Sequence, residues 1–383
     1  MLLFPEQVPL SILKIKEAMD SGWLDRQAVY ASIKKVLLCK QWVGLDKPTP
    51  VDIEHLVEDL NCCSTNLLIR SVIEKSVVIA KNQDGLIPVK DIEKRKIALV
   101  GVGSNEYRTF EEVALSYARM DRFFIDKNDP QNMYENLFES LKTYDLVIVS
   151  LHNTSRFVNK NFGLSDQEIR FINKLNLYKK IILVNNGNPY SMQFIPNIKS
   201  LIISYEDLPW NNEIAAQILF GARTASGKLP VGVGEYTINS SNTGNLLNRL
   251  TYVLPDQLGY DSKALSSLDT LVNRAINAGA IPGCQLLVSK NGQVIYHKAF
   301  GYQTYDKTIP VKGYHLYDVA SLTKILSTTL AAMKLHEKQL LDLDRRVGHY
   351  VPELRETNKR NITIRQLLLH ESGLPAFIPF YKK

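Results

Sequence analysis

A serine and a lysine three positions apart are the first residues whose types could do chemistry, in "YDVASLTKILSTTLAAMK", residues 317–334. A hydroxyl is a weak nucleophile until a base takes its proton, and a lysine serves as that base only where burial or a nearby cation lowers its pKa. Ser321 and Lys324 are such a pair, but the same spacing recurs at Ser11/Lys14 and Ser32/Lys35. Residues three apart on a helix share a face, so spacing alone marks a surface neighbour. The first two pairs lie in Lys- and Glu-rich amphipathic stretches with no strand leading into them and read as solvated surface. Around the third, Ala320, Leu322, Ile325 and Leu326 offer apolar surroundings, and Asp318 stands where a helix cap belongs.

Other candidates are weaker. His370 and Ser372 in "LLLHESGLP" invite a Ser-His arrangement with Ser321. His152, His297, His315, His336 and His349 have no partner pattern and read as satisfied surface or core histidines. Cys39, Cys62, Cys63 and Cys284 give no disulfide framework, and His55 near the adjacent pair lacks metal-ligand spacing, so free thiols and no metal are expected. "GVGSNE" follows a strand, but Glu106 replaces the third glycine of a dinucleotide turn, which leaves a tight turn and no cofactor. Asp145, Asp166 and Asp207 fall at strand or helix ends and read as caps and turn residues.

The elements that must hold these residues change character along the chain. Its 383 residues predict two or three domains, and a net charge of +7 spread without basic blocks does not favour nucleic acid. No apolar run is long enough to span a membrane, and Pro5 and Glu6 interrupt the apolar opening before it can act as a signal peptide. Helices are predicted at 6–21, 25–43, 51–61 and 64–81, with apolar stripes and no local strand to cover them. From residue 86, "KIALVG", "DLVIVSL", "KKIILVNN" and "KSLIISY" alternate with helical patterns at 108–119, 130–142 and 165–177. Near-continuous apolar strands separated by helices predict a parallel sheet covered on both faces, an α/β sandwich. A polar Ser/Asn/Gly stretch then reads as a linker. Beyond it come a helix at 261–279 and a hairpin at 284–300 around Asn291-Gly292, with the Ser321 helix expected to bury Ile325–Met333 against that hairpin.

With these elements in place, "IPGCQLLVSKNGQVIYHKAFGY", "LYDVASLTKILST" and "ITIRQLLLHESGLP" together resemble the class C β-lactamase, esterase and D-Ala-D-Ala carboxypeptidase family. The resemblance implies that Ser321 is acylated, that Lys324 helps remove its proton, and that the segment of His370 is a structural turn. It further implies a Tyr-x-Asn element and a Lys/His-x-Gly strand beyond residue 383. "MLLFPEQV", "SIKKVLLCKQWVGL", "KSVVIAKNQDGLIPV" and "ILFGARTASGKLPV" resemble the β-N-acetylglucosaminidase branch of glycoside hydrolase family 3. That resemblance implies the last helices of a (β/α)8 barrel at 1–80, a C-terminal α/β domain at 81–235, a linker at 236–260, and a partial α+β β-lactamase-like domain at 261–383. The two carboxyl-type groups of a retaining glycosidase, about 5 to 5.5 Å apart, would then lie on absent barrel loops. The resulting expectation is a piece of a bimodular bacterial hydrolase of the periplasm or envelope, acting on N-acetylglucosamine-containing glycans and on an acyl or peptide-like substrate. A serine hydrolase with an accessory sugar domain, and a catalytically silent carbohydrate-binding module, remain the alternatives.

Overall fold

A computed structural model of the chain describes residues 5–47, 49–51, 53–104, 109–379 and 381. Contacts divide it into two units, residues 1–272 with 286–297, and residues 273–285 with 298–383.

The first unit opens with α1 (Val8–Asp20), α2 (Arg26–Trp42), α3 (Leu56–Leu60) and α4 (Cys63–Ser76). Asp25 caps α2 by accepting hydrogen bonds from the backbone N–H groups of Gln27 and Ala28. None of α1, α2 or α3 has a buried residue, so their apolar stripes face outward, with Ile12 of α1 62% and Trp42 of α2 86% exposed.

Six strands then form one sheet: β1 (Val78–Asn82), β2 (Ile97–Val102), β3 (Asp121–Ile125), β4 (Leu146–Leu151), β5 (Ile181–Asn185) and β6 (Ser200–Ile203). Their order is β1-β6-β5-β4-β2-β3, parallel throughout except for β1. Between them run α5 (Thr109–Tyr117), α6 (Gln131–Leu141), α7 (Asp166–Tyr178) and, after β6, α8 (Pro209–Leu219). Successive strand side chains point to opposite faces, so alternation divides the core in two. Val100, Val149 and Leu183 pack with Phe138 of α6 and Phe171 of α7, whereas Leu99, Ile148 and Ile182 pack with Phe110 of α5 and Ile214 of α8. The result is a mixed α/β architecture with helices on both faces of a largely parallel sheet.

Several elements differ from the sequence expectation. The helix predicted at 64–81 stops at Ser76, and Val78 begins a strand whose first residues are fully buried, because β1 pairs antiparallel with β6. The helix predicted at 51–61 shortens to five residues. Strand β3 and helix α8 were not foreseen, and Glu106 lies outside the described residues. Residues read as a linker run along this unit: the Leu247 N–H donates to Gly221 O at 2.8 Å, and Tyr252 O accepts from Arg70 Nη2 at 2.9 Å.

A three-stranded sheet follows, of β7 (Thr251–Tyr252), β8 (Gly283–Lys290) and β9 (Gln293–Gly301) in the order β7-β9-β8, with α9 (Ser262–Asn277) preceding the hairpin. Its turn is Asn291-Gly292, both at positive φ (52° and 76°), the backbone that a two-residue hairpin requires. The second unit continues through α10 (Leu330–Glu337), α11 (Val347–Tyr350) and α12 (Ile364–Leu368). Thr363 and Gln366 make a reciprocal capping box at the start of α12.

Candidate acyl-transfer site

The Ser321 segment is not a regular helix. Ala320–Leu322 is a 3₁₀ turn, Lys324–Thr329 is a π-helical turn, and only from Leu330 does α10 run as an α-helix. Asp318 Oδ1 accepts from the Ala320 N–H at 2.8 Å, closing the entry to the turn as a cap would. Ala320 itself has φ of 42°, a left-handed backbone that a non-glycine residue adopts only at a cost. The i→i+5 bonding of the π turn is a wider winding often seen at functional sites.

This winding brings the predicted pair together: Lys324 Nζ donates to Ser321 Oγ at 3.0 Å. A free lysine electron pair at that distance would be placed to take the hydroxyl proton. The surroundings, however, correct the sequence reading. Leu322 is 57%, Ile325 63% and Leu326 59% exposed, and Ser321 and Lys324 are exposed with them, so the expected apolar pocket is not formed. Leu330 and Met333 are likewise open, at 55% and 60% exposed. Apolar side chains had suggested burial, but burial needs an opposing surface.

His370 is exposed at φ of 59°, and among the described residues Ser321 Oγ is hydrogen-bonded to Lys324 rather than to any histidine. Of the remaining histidines in this unit, His336 Nδ1 meets Leu341 O at 2.8 Å and His349 Nε2 meets Arg345 Nη1 at 2.8 Å. The four cysteines are free, and among the described residues no group of three or more His, Cys, Asp or Glu could hold a metal ion.

A family model described as Beta-lactamase matches residues 268–383. Residues 268–383 are a beta-lactamase-family segment. Protein flp of Staphylococcus aureus (strain NCTC 8325 / PS 47) is 39% identical over 114 residues, 29% of this chain and 23% of that protein. A beta-lactamase of Providencia stuartii is 35% identical over 113 residues, 29% of each chain. The chain thus spans about a quarter of the length of the curated relatives it matches. Among solved structures, a glycoside hydrolase family 3 β-N-acetylglucosaminidase from Paenibacillus sp. str. FPU-7 is similar with a TM-score of 0.37 and 19% identity, covering 58% of this chain and 42% of that one. Beta-glucoside phosphorylase BglX has a TM-score of 0.37 and 18% identity, covering 56% and 40%. The beta-lactamase-family segment contains both Ser321 and Lys324, and with them His370.

Outside that segment, the three aspartates read as caps and turns have distinct places. Asp145 Oδ2 accepts from the Lys96 N–H at 2.7 Å, a turn clamp between the starts of β2 and β4. Asp166 is the first residue of α7, whose cap is Ser165 in a capping box with Glu168. Asp207 does more. Its Oδ1 lies 3.0 Å from His152 Nδ1 and accepts from Asn212 Nδ2 at 2.9 Å, while Oδ2 accepts from the Asn153 N–H. The other nitrogen of His152, Nε2, lies 2.8 Å from Glu111 Oε1 and 3.0 Å from Ser150 Oγ. Burial alone would lower the pKa of His152, but the hydrogen bonds and charges of Asp207 and Glu111 overcome it and hold the imidazole up to about 9. Burial would raise that of Asp207, but His152 and the amide donors hold it at about 2. His152 is therefore a buried cation between carboxylates. Nothing in its local sequence signals this, since its partners lie 41 and 55 positions away.

No helix among the described residues is long and apolar enough to cross a membrane.

Proposed function

We propose that the chain carries the nucleophilic half of an acyl-enzyme hydrolase, with Ser321 as the group acylated and Lys324 as its proton acceptor. The observation that carries this reading is the 3.0 Å hydrogen bond between the two side chains inside the beta-lactamase-family segment. The substrate class is an ester, amide or lactam carbonyl. Ser321 Oγ attacks the carbonyl carbon, its proton passes to Lys324, and the leaving group departs with a proton returned from the lysine; water then breaks the acyl bond. In the whole protein this chemistry is joined to glycoside hydrolase family 3 action on β-N-acetylglucosaminides. The quoted sequence motifs and the parallel sheet of the first unit support that part, and an envelope location follows from it as part of the same reading. The domain limits that go with this reading are 1–80, 81–235, 236–260 and 261–383.

Because Ser321 and Lys324 are open to water, the 383-residue chain is expected to resist labelling by a fluorescent penicillin. The same chain extended by Tyr-x-Asn and Lys/His-x-Gly elements is expected to label, and Ser321→Ala to abolish it. Undiminished labelling of the extended Ser321→Ala protein would remove Ser321 from the mechanism.

A further inference from the structure

A concavity of about 460 Å³ lies in the second unit, at the turn that joins α10 to α11. That size falls within the range of about 300 to 1,000 Å³ in which small molecules are held. Its rim contains a backbone anomaly. Helix α10 closes with the Gln339 N–H on His336 O and the Leu340 N–H on Leu335 O, both at 2.9 Å, a closing turn whose left-handed position usually belongs to glycine. Here it is glutamine, at φ of 58°, and that costly backbone keeps an amide side chain at the rim where glycine would have none.

The polar groups around this rim include donors and acceptors set side by side. Arg345 Nη1 donates to His349 Nε2 at 2.8 Å, and its Nε lies 3.6 Å from Asp342 Oδ2. A guanidinium is always protonated, so that imidazole nitrogen is an acceptor and Arg345 is held on two sides. Its Nη2 has no protein partner among the described residues. Tyr350 Oη accepts from the Asp342 N–H at 2.7 Å, which leaves the phenol hydrogen to donate. The Asp342 carboxylate takes the Asp344 N–H on Oδ1 at 3.0 Å and turns Oδ2 to the arginine. His336 Nδ1 meets a carbonyl, Leu341 O, at 2.8 Å, so Nδ1 carries the hydrogen and Nε2 is left as an acceptor. Leu340 and Leu341 add an apolar wall.

This lining selects a class of ligand. A plain anion would meet Asp342, and a plain cation would meet Arg345. A zwitterion whose two charges are adjacent complements the Arg345–Asp342 pair head to tail. In an α-amino acid both charged groups hang on one carbon, whereas a dipeptide moves them apart by a further residue, about 3.5 Å.

We infer that this concavity binds a free α-amino acid with an aliphatic side chain, its carboxylate on Arg345 and Tyr350, its ammonium on Asp342 and His336 Nε2, and its side chain against Leu340 and Leu341. The site lies outside the acyl-transfer chemistry and does not depend on it. The test titrates the intact chain with leucine, N-acetyl-leucine and leucinamide, using calorimetry and saturation-transfer NMR. Saturable binding of leucine is expected, with both derivatives at least about tenfold weaker, since each lacks one of the two charges. Arg345→Gln and Asp342→Asn, both at exposed positions, should each weaken leucine by about tenfold without changing the far-UV spectrum. Gln339→Gly separates fold from site: it should leave the melting temperature unchanged or higher, because glycine suits the left-handed backbone, and yet weaken leucine about fivefold. Ser321→Ala should leave binding unchanged. No saturable binding of leucine, a derivative that binds as tightly, affinity indifferent to the Arg345, Asp342 and Gln339 variants, or loss of binding in Ser321→Ala would each overturn the inference.

Discussion

Strand β4 and the Ser321 segment are both apolar runs, yet one is sealed and the other is open. Every residue of "LVIVSL" is buried, whereas no residue from Lys324 to Thr329 is. Both have leucine, isoleucine and small hydroxylated residues, so composition does not separate them. What separates them is cover: β4 has a strand on each side and helices on both faces. Hydrophobicity is a tendency to be buried, and it is realised only where the rest of the fold supplies a second surface.

Mutation should break the symmetry of the two runs. Ile148→Ala, in the sealed strand, should cost about 2 to 5 kcal/mol in denaturant unfolding, through lost transfer energy and a residual cavity. An equal cost for Met333→Ala, which is 60% exposed and should stay within about 0.5 kcal/mol, would show that the open run is in fact covered.

Next in size is the buried charge cluster at the end of β4. Glu111→Gln or Asp207→Asn should cost about 3 to 5 kcal/mol, because each leaves the imidazolium with a weakened partner set. The pH dependence follows from the two shifts. His152 is raised to about 9 from an unfolded value of about 6.5, so its contribution is complete below about 6.5 and is lost as pH rises through 9. Asp207 is lowered to about 2, so its contribution is present above its unfolded value of about 3.9 and lost as pH falls toward 2. Stability should therefore peak between about pH 4 and 6.5 as regards this pair, and His152→Asn should flatten the alkaline limb; a limb that persists unchanged would assign it to other groups.

The smallest effect belongs to the open unit. Arg365 donates to Asp344 at 2.7 and 3.1 Å, but both side chains are at least half exposed. Asp344→Ala should leave the thermal midpoint nearly unchanged, and added salt should erase what small difference there is. A larger shift in a thermal melt would mean that the pair is shielded from water.

The contrast also explains what could be read in the sequence. β2, β4 and β5 were legible because strands buried on both faces are written as unbroken aliphatic runs. The hairpin was legible from Asn291-Gly292. Strand β3, "DRFFI", was not, since it is five residues long with one buried position. Helix α8 hid for the opposite reason: Asn211, Asn212, Ala215, Ala216 and Gln217 are all buried, so there is no polar stripe to give a period. At the candidate site, the Ser321–Lys324 contact followed from spacing. The left-handed Ala320 and the π turn did not, because nothing in "DVASLTK" distinguishes them from an ordinary helix start. The charge cluster of His152 was illegible because its partners come together only when the sheet is assembled.

The two margins of the large sheet have a bearing on how the protein behaves in concentrated solution. A strand margin offers unpaired N–H and C=O groups to any extended chain that meets it. Here β3 is short and begins with the charged Asp121 and Arg122, and β1 is irregular between Ile79 and Lys81, with Lys81 held by Glu235 at 2.5 Å. Charge and a broken register at the margins discourage sheet-to-sheet recruitment, so the six-stranded layer can grow no further by accident. Removing Lys81 would leave the fold's interior untouched and still favour self-association at this margin.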